Sequence, residues 1–84
     1  MTETEDLIID QLYFVTPFAT LNKELHLDDD KIGPELWSLI AKGWVKCFKD
    51  PENEIQVTAE EFNNNFRNYH YLASKQGLLE HNRR

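Results

Sequence analysis

The side chains best suited to bind a metal ion are three histidines and one cysteine. A zinc site usually takes such ligands from paired-cysteine motifs or from helical positions about three or four residues apart. Neither pattern occurs among these residues, which are His26, His70, His81 and Cys47. The sequence therefore predicts neither a metal site nor a bound cofactor.

Nucleophilic catalysis lacks its usual signals as well. No serine or cysteine stands in a glycine-rich elbow, and no glycine-rich loop is present to cradle a phosphate group. These are the features that often mark a catalytic nucleophile or a nucleotide site. We therefore predict a protein that is not an enzyme and that has no catalytic residues.

Three consecutive aspartates, Asp28, Asp29 and Asp30, are a further candidate for cation or partner binding. A calcium-binding loop that began at Asp28 would need a glycine at its sixth position and a glutamate at its twelfth. Gly33 meets the first requirement, but Leu39 occupies the twelfth position. We therefore interpret the aspartates as a helix N-terminus, where carboxylates complement the helix dipole.

The length and the net charge of the chain limit the number of domains and the classes of partner. The 84 residues suffice for one domain, and 9 basic against 15 acidic residues give a net charge of −6. This charge opposes long-range attraction to nucleic acid or to an anionic membrane.

No apolar run approaches the roughly 18 residues that span a bilayer. The acidic start is unlike a secretory signal, and a single cysteine is typical of a reducing compartment. We expect one domain over residues 1–84, located in the cytoplasm.

Caps and apolar spacing predict two helices at the start of the chain. The first begins at Thr4, or at Thr2 with a capping box, and ends near Val15. It stops there because a residue that precedes proline is disfavoured in the helical region. The second is expected to run from an N-cap at Thr16 to about Leu25, with proline at its first position.

A third helix is predicted from Asp30 to the glycine at position 43. Pro34 lacks an amide hydrogen and is tolerated best in the first helical turn, so Asp30 is the predicted N-cap. Gly43 is expected to end the helix. The residues predicted to face inward are Ile32, Leu36, Leu39 and Ile40.

The second half of the chain predicts a β-hairpin and a long final helix. Residues 44–49 and 55–58 are β-prone and flank a polar turn, which is typical of a hairpin. Thr58 then opens a capping box, and the last helix is expected over 59–76. Gly77, followed by an apolar residue, is predicted to end it in a Schellman motif.

Residues 19–58 carry a resemblance that joins these elements. The positions concerned are Leu21, Leu25, Leu27, Ile32, Leu36, Leu39, Gly43, Trp44 and Val45. Their spacing resembles the winged helix-turn-helix superfamily, particularly its small bacterial regulator modules, in which a supporting helix, a turn and a recognition helix precede a glycine and a two-stranded wing. The resemblance implies an α+β, mostly α fold: three helices, a β-hairpin wing and a C-terminal helix.

The same resemblance implies a DNA-binding transcriptional regulator that acts as a dimer. Its DNA contacts would come from Lys31, Ser38, Lys42, Lys46 and Lys49. However, residues 28–42 contain four acidic residues and only two lysines, and the wing tip adds three acids. Carboxylates near phosphates weaken the counterion-release term on which DNA affinity depends. We therefore expect the recognition-helix face to be unsuited to DNA.

We favour the hypothesis that the chain functions by binding a protein, and its aromatic side chains support this. The predicted interaction residues are Trp37, Trp44, Phe66, Tyr69 and Tyr71. Tryptophan often dominates interface energetics, although packing beneath the wing or the last helix is the alternative for both tryptophans. The partner is either a second copy of the chain or a regulatory protein. The acidic face over 28–35 is available to a basic partner.

Overall fold

Five α-helices and four β-strands make up the computed structural model, which describes residues 1–83. The helices are α1 (Glu3–Asp10), α2 (Phe18–Leu25), α3 (Asp29–Ala41), α4 (Ala59–Asn65) and α5 (Lys75–His81). The strands are β1 (Thr16–Pro17), β2 (Val45–Asp50), β3 (Asn53–Ile55) and β4 (His70–Ala73). About 55% of the chain is helical. The predicted α+β class is therefore confirmed.

The strands form one antiparallel sheet in the order β1-β4-β2-β3. Tyr71 of β4 lies opposite Thr16 on one side and opposite Cys47 on the other. Tyr71 and Ala73 are buried while the residues between and before them are half-buried, the period-two pattern of a strand with one face on the core. β4 is thus a central strand, although it is late in the sequence.

The core lies between this sheet and the first four helices. Its buried members are Ile8, Ile9, Leu12, Phe18, Leu21, Ile32, Leu36, Leu39, Val45, Cys47, Phe62, Phe66, Tyr71 and Ala73. All but a few are aliphatic or aromatic, so burial of apolar surface is the main stabilising term. Within residues 1–83, no helix is both long enough and apolar enough to cross a membrane.

Helix α1 begins with the predicted capping box. The Thr2 hydroxyl accepts a hydrogen bond from the Glu5 amide, and the Glu5 carboxylate accepts one from the Thr2 amide, both at 3.0 Å. The predicted end near Val15 is wrong. The chain leaves the helix earlier because the Leu12 carbonyl accepts a hydrogen bond from the Ala73 amide of β4 at 2.9 Å.

The segment before α2 is a two-residue strand, and its second residue is also the N-cap of the helix. Thr16 was predicted as the N-cap, but it pairs with β4, and Pro17 is the N-cap. β1 is an edge strand, where a proline without an amide hydrogen is tolerated. The amide of Phe18 donates to the Tyr69 carbonyl at 3.2 Å, which joins the start of α2 to the sheet. The predicted end of α2 at Leu25 is confirmed.

Helix α3 begins two residues earlier than predicted. Its N-cap is Asp28, whereas Asp30 was expected, so Pro34 lies inside the helix and beyond its first turn. In a regular helix the Asp30 carbonyl accepts a hydrogen bond from the amide of residue 34, and proline has no amide hydrogen to donate. Both Asp30 and Pro34 are exposed, so this carbonyl lies on the side of the helix that faces water.

The predicted end of α3 is confirmed. Gly43 has a φ of +80°, the left-handed conformation that glycine adopts without strain. The Trp44 amide donates to the Leu39 carbonyl at 2.9 Å, and the Gly43 amide donates to the Ile40 carbonyl at 3.0 Å. This is the hydrogen-bond pattern of a Schellman motif. It turns the chain directly into β2.

The predicted hairpin is present, with a tighter turn than expected. β3 begins at Asn53, opposite Asp50. The Asp50 carboxylate accepts hydrogen bonds from the Asn53 side chain and from the Glu52 and Asn53 amides, and these bonds lower the pKa of Asp50. The turn is therefore held by its own aspartate.

The predicted long final helix is wrong in its second half. Its start is confirmed, because Thr58 and Glu61 form a reciprocal capping box. The helix then ends at Asn65, the last of three consecutive asparagines, which are weak helix formers. A 3-10 turn follows, and its first residue, Phe66, accepts a hydrogen bond from the buried Tyr71 hydroxyl at 2.7 Å.

Gly77 is also placed differently from its prediction. It was expected to end a helix, but it lies within the first turn of α5, where its amide donates to the Ser74 hydroxyl at 3.0 Å. A Cβ atom at Gly77 would lie 2.1 Å from the Trp44 carbonyl oxygen. This glycine is therefore needed for close approach of α5 to the Trp44 backbone, immediately before β2.

We predict that Gly77→Ala destabilises the fold although alanine is the better helix former. The added Cβ would displace backbone and not a flexible side chain, so we expect a loss of about 2 kcal/mol in the free energy of unfolding. Gln76→Ala, in the same helix and exposed, should change it by less than about 0.5 kcal/mol. Urea denaturation followed by circular dichroism measures both. Equal stability of the two variants would contradict the prediction.

Candidate functional site

An apolar groove of about 370 Å³ lies between α3 and α4. The residues that line it are Asp30, Gly33, Pro34, Trp37, Ala59, Phe62, Asn63 and Phe66. Two of the predicted interaction residues, Trp37 and Phe66, are therefore brought together in one place. We refer to these lining residues as the α3–α4 groove.

One face of α3 forms a wall of the groove. Asp30, Pro34 and Trp37 are four and three residues apart, which places them in line along the helix. Gly33 lies beside them, and a Cβ at this position would be 2.9 Å from the Phe66 ring. The absence of a side chain at Gly33 lets the ring pack directly on the α3 backbone.

A row of aromatic rings forms the floor. Trp37 and Phe62 have ring centroids 5.4 Å apart, and Phe62 stacks on Phe66 at the same separation. Phe18 packs edge-on against Phe66, with 5.1 Å between centroids. Phe62 and Phe66 are 3% and 6% exposed, whereas Trp37 is only half-buried. Trp37 is thus the aromatic residue that a ligand would contact most.

The groove lining carries one charged side chain, the carboxylate of Asp30. The chain segments on either side of the groove, 28–37 and 59–67, contain six acidic residues, one lysine and Arg67. The Asp30 side chain is 99% exposed. Asp29 is already paired, because its carboxylate accepts from Arg67 Nε at 2.6 Å and from the side-chain amide of Asn22 in α2 at 2.8 Å. Asp30 is therefore the carboxylate of the groove that is open to a ligand.

Arg67 lies beside the groove, next to two of its lining residues, Asp30 and Phe66. Its guanidinium lies 4.4 Å from the centroid of the Phe66 ring, and its Nη2 is 3.9 Å from the Asp30 carboxylate. Together with the shorter contact to Asp29, these distances show a guanidinium held between an aromatic face and a carboxylate. Such pairs combine cation–π attraction with a charge-assisted hydrogen bond.

The other predicted interaction residues do not line the groove. Tyr71 is 0% exposed, and burial raises the pKa of its hydroxyl, so it cannot be the surface contact that was predicted. Tyr69 and Trp44 are half-buried and pack against the core. The Lys42 ammonium lies 4.7 Å from the centroid of the Trp44 ring and covers part of it. Phe66 contributes as floor and is too buried to be an exposed anchor.

The predicted DNA contacts do not form a basic face. Ser38 and Lys42 point toward α1, where their side chains donate to the Glu5 carboxylate at 3.2 and 2.7 Å. Lys31, at the other end of α3, is exposed but lies eleven residues from Lys42, which is about 16 Å along the helix axis. The remaining two lysines, on β2, are exposed as well. Two of the five predicted contacts therefore hold the fold together instead.

Glu5 is a buried carboxylate, 1% exposed, that the sequence interpretation assigned only to a helix cap. Burial acts to raise its pKa, but the hydrogen bonds from Lys42, from the Thr2 amide and from Ser38 outweigh it. The pKa of Glu5 is consequently lowered, and the carboxylate is charged at neutral pH. It ties α1 to α3 from within the structure.

The potential metal ligands remain apart. Cys47 is buried, and burial raises the pKa of its thiol to about 12, so the thiol stays protonated at neutral pH. His81 contacts two carboxylates of α1, with Nδ1 2.5 Å from Asp6 and Nε2 3.4 Å from Asp10. Across residues 1–83, no three histidine, cysteine or acidic side chains are grouped to hold a metal ion.

Sequence reasoning missed Pro34 and Asn63 as groove residues. The sequence predicted Pro34 only as a residue of the first helical turn, and Asn63 was predicted only as part of the final helix over 59–76. Asn63 is exposed, but it also borders the groove beside Phe62. The four-residue spacing of Phe62 and Phe66 was the signal that could have pointed to the floor.

Comparison with known proteins adds no assignment. No protein-family model, no curated protein and no solved structure matches the chain. The observations that bear on function are therefore the geometry and the charges of the groove.

We predict that Glu5→Gln lowers the free energy of unfolding by about 2 kcal/mol at pH 7, because it removes charge-assisted hydrogen bonds. The loss should shrink in acid. The stabilisation from Glu5 is fully present above the ordinary glutamate pKa of 4.5 and disappears as the pH falls through the lowered pKa of the folded state. Urea denaturation between pH 7 and pH 3 measures it. Glu52→Gln, in the exposed turn, is the control. A constant difference between Glu5→Gln and the parent chain across this range would refute the assignment.

Proposed function

We propose that this chain is a cytoplasmic, non-enzymatic winged-helix module that binds a basic segment of a partner protein in the α3–α4 groove. The winged-helix part is supported by the order of elements: α2, a turn, α3, Gly43 and the β2–β3 hairpin follow one another as in the family that residues 19–58 resemble. The added strand β4 and helix α5 extend that pattern.

The single observation that carries the binding proposal is the combination of an apolar groove with an exposed carboxylate. Half-buried Trp37 offers an aromatic surface, and exposed Asp30 offers a carboxylate on the same helix face. Interfaces gain most of their energy where an aromatic residue receives a partner side chain in a small pocket. Charge complementarity to the exposed Asp30 carboxylate and to the net charge of −6 of the chain favours a partner segment that carries lysine or arginine.

A second copy of the chain fits the groove poorly. Each copy has a net charge of −6, so approach of one copy to another is opposed by repulsion. The exposed large apolar residues Met1, Leu7, Tyr13, Phe14 and Leu79 lie before or on α1, on α5 and in the segment before β1, outside the groove. We therefore favour a different protein over a homodimer.

Fewer observations support the alternative function, which is DNA binding. The side chains of Ser38 and Lys42 donate hydrogen bonds to Glu5. The hairpin turn carries further negative charge, from Asp50 and from exposed Glu52 and Glu54. Three exposed lysines remain from the predicted set, on two different elements. Displacement of counterions from a duplex depends on several cations that reach phosphates together.

Selection of phage-displayed peptides against the full chain tests the proposal. We expect basic peptides with at least one apolar residue to be enriched. Asn63→Arg, which adds a cation at the mouth of the groove, should weaken binding of the selected peptides by about tenfold or more, which corresponds to roughly 1.4 kcal/mol. Asn64→Arg makes the same substitution at the next, exposed position outside the groove lining and is the matched control.

Three outcomes would contradict the proposal. Selected peptides that bind Asn63→Arg and Asn64→Arg equally would place the contact elsewhere. Light scattering that showed a stable dimer at micromolar concentration would favour self-association. Fluorescence anisotropy that showed salt-sensitive binding of a randomised duplex, lost in Lys46→Glu, would favour the DNA alternative.

A further inference from the structure

We infer that the residue anchored in the α3–α4 groove is an arginine of the partner, with its aliphatic stem on Trp37 and Pro34 and its guanidinium on the Asp30 carboxylate. The inference rests on the proposed function, since it names the side chain that the groove accepts. Two features of the groove support it: its length along α3 and the exposed carboxylate of Asp30 at its end.

The length of the site favours a long side chain. Asp30 and Trp37 line the same groove and are seven residues apart on α3, which corresponds to about 10 Å along the helix axis. A compact cation over the Trp37 ring would leave the Asp30 carboxylate out of reach. A side chain that begins near Trp37 and extends past Pro34 places its charged end at Asp30.

The chemistry of the lining favours a side chain that is apolar along its stem and cationic at its end. Pro34, Trp37 and the Phe62 edge offer apolar surface. Asp30, by contrast, is a charged group whose desolvation by a neutral occupant would be unfavourable. Lysine and arginine both have such a stem, because their methylene groups can lie on apolar surface while the charge stays in water.

The Asp30 carboxylate is the feature that favours arginine over lysine. A planar guanidinium can pair with a carboxylate in two-point fashion, which an ammonium group cannot do. Arg67 shows a guanidinium on the neighbouring carboxylate, since its Nε donates to Asp29 at 2.6 Å. The Asp30 side chain is 99% exposed and lies 3.9 Å from Arg67 Nη2, too far for a hydrogen bond, so both of its oxygens can accept hydrogen bonds from a partner.

Nuclear magnetic resonance titration of the full chain with three alanine peptides tests the inference. One peptide carries a central arginine, the second carries citrulline, its neutral isostere, and the third carries norleucine. We expect the arginine peptide to shift the amide signal of Gly33 and the indole signal of Trp37, with an affinity about fivefold above that of the citrulline peptide.

Two exposed aspartates provide the matched variants. Asp30→Asn should remove the preference for arginine over citrulline, whereas Asp28→Asn, which changes the same charge outside the groove lining, should keep it. Asp30 is 99% exposed, so its substitution leaves the core untouched. Gly33 and Trp37 signals in the unbound variants verify that the groove is intact.

The possible failures are distinguishable from one another. Equal binding of all three peptides in the groove would overturn the arginine assignment and leave the groove as a protein-binding site. Preference for arginine that persists in Asp30→Asn, or shifts confined to residues outside the groove, would also overturn it. The proposed function itself fails separately, through equal binding of selected peptides to Asn63→Arg and Asn64→Arg.

Discussion

The hydrogen bonding of β4 to both of its neighbours is the interaction on which the rest of the structure depends. Tyr71 lies opposite Thr16 of β1 and opposite Cys47 of β2, so one strand joins the start of the chain to the hairpin. The Tyr71 hydroxyl also donates to the Phe66 carbonyl at 2.7 Å. Because that bond fixes the turn after α4, it holds the Phe66 ring against Gly33, and the groove floor follows from the strand.

Local signals predicted the elements whose ends are decided by neighbouring residues. The Thr58 capping box and the Gly43 turn were identified because both act within a few residues along the chain. Elements decided by distant contacts were not identified. The stretch that became β4 has aromatic residues that suit a helix stripe as well as a strand, and only its pairing with β1 and β2 selects the strand. Gly77 was likewise misassigned, because the Trp44 carbonyl that requires a glycine is remote in sequence.

The buried Glu5 carboxylate explains why α3 does not present the face that the resemblance implied. The resemblance implied that Ser38 and Lys42 lie on the outer side of a recognition helix and contact DNA. In the structure they point at α1, because a charge that is 1% exposed requires hydrogen-bond donors and a countercharge. No periodicity within α3 could reveal this, since the requirement arises from a residue more than thirty positions earlier in the chain.

The aspartates at the start of α3 divide into different roles once the fold is known. Asp28 is the N-cap, and Asp29 is held by Arg67 and by the side-chain amide of Asn22. Asp30, one residue further, is directed to water at the end of the groove. A helix turns by about 100° per residue, so neighbouring carboxylates cannot share one environment. The run of acids that disfavours DNA binding therefore supplies both an ion pair that positions Arg67 and an exposed carboxylate beside an aromatic floor, which are the features on which the proposed arginine contact depends.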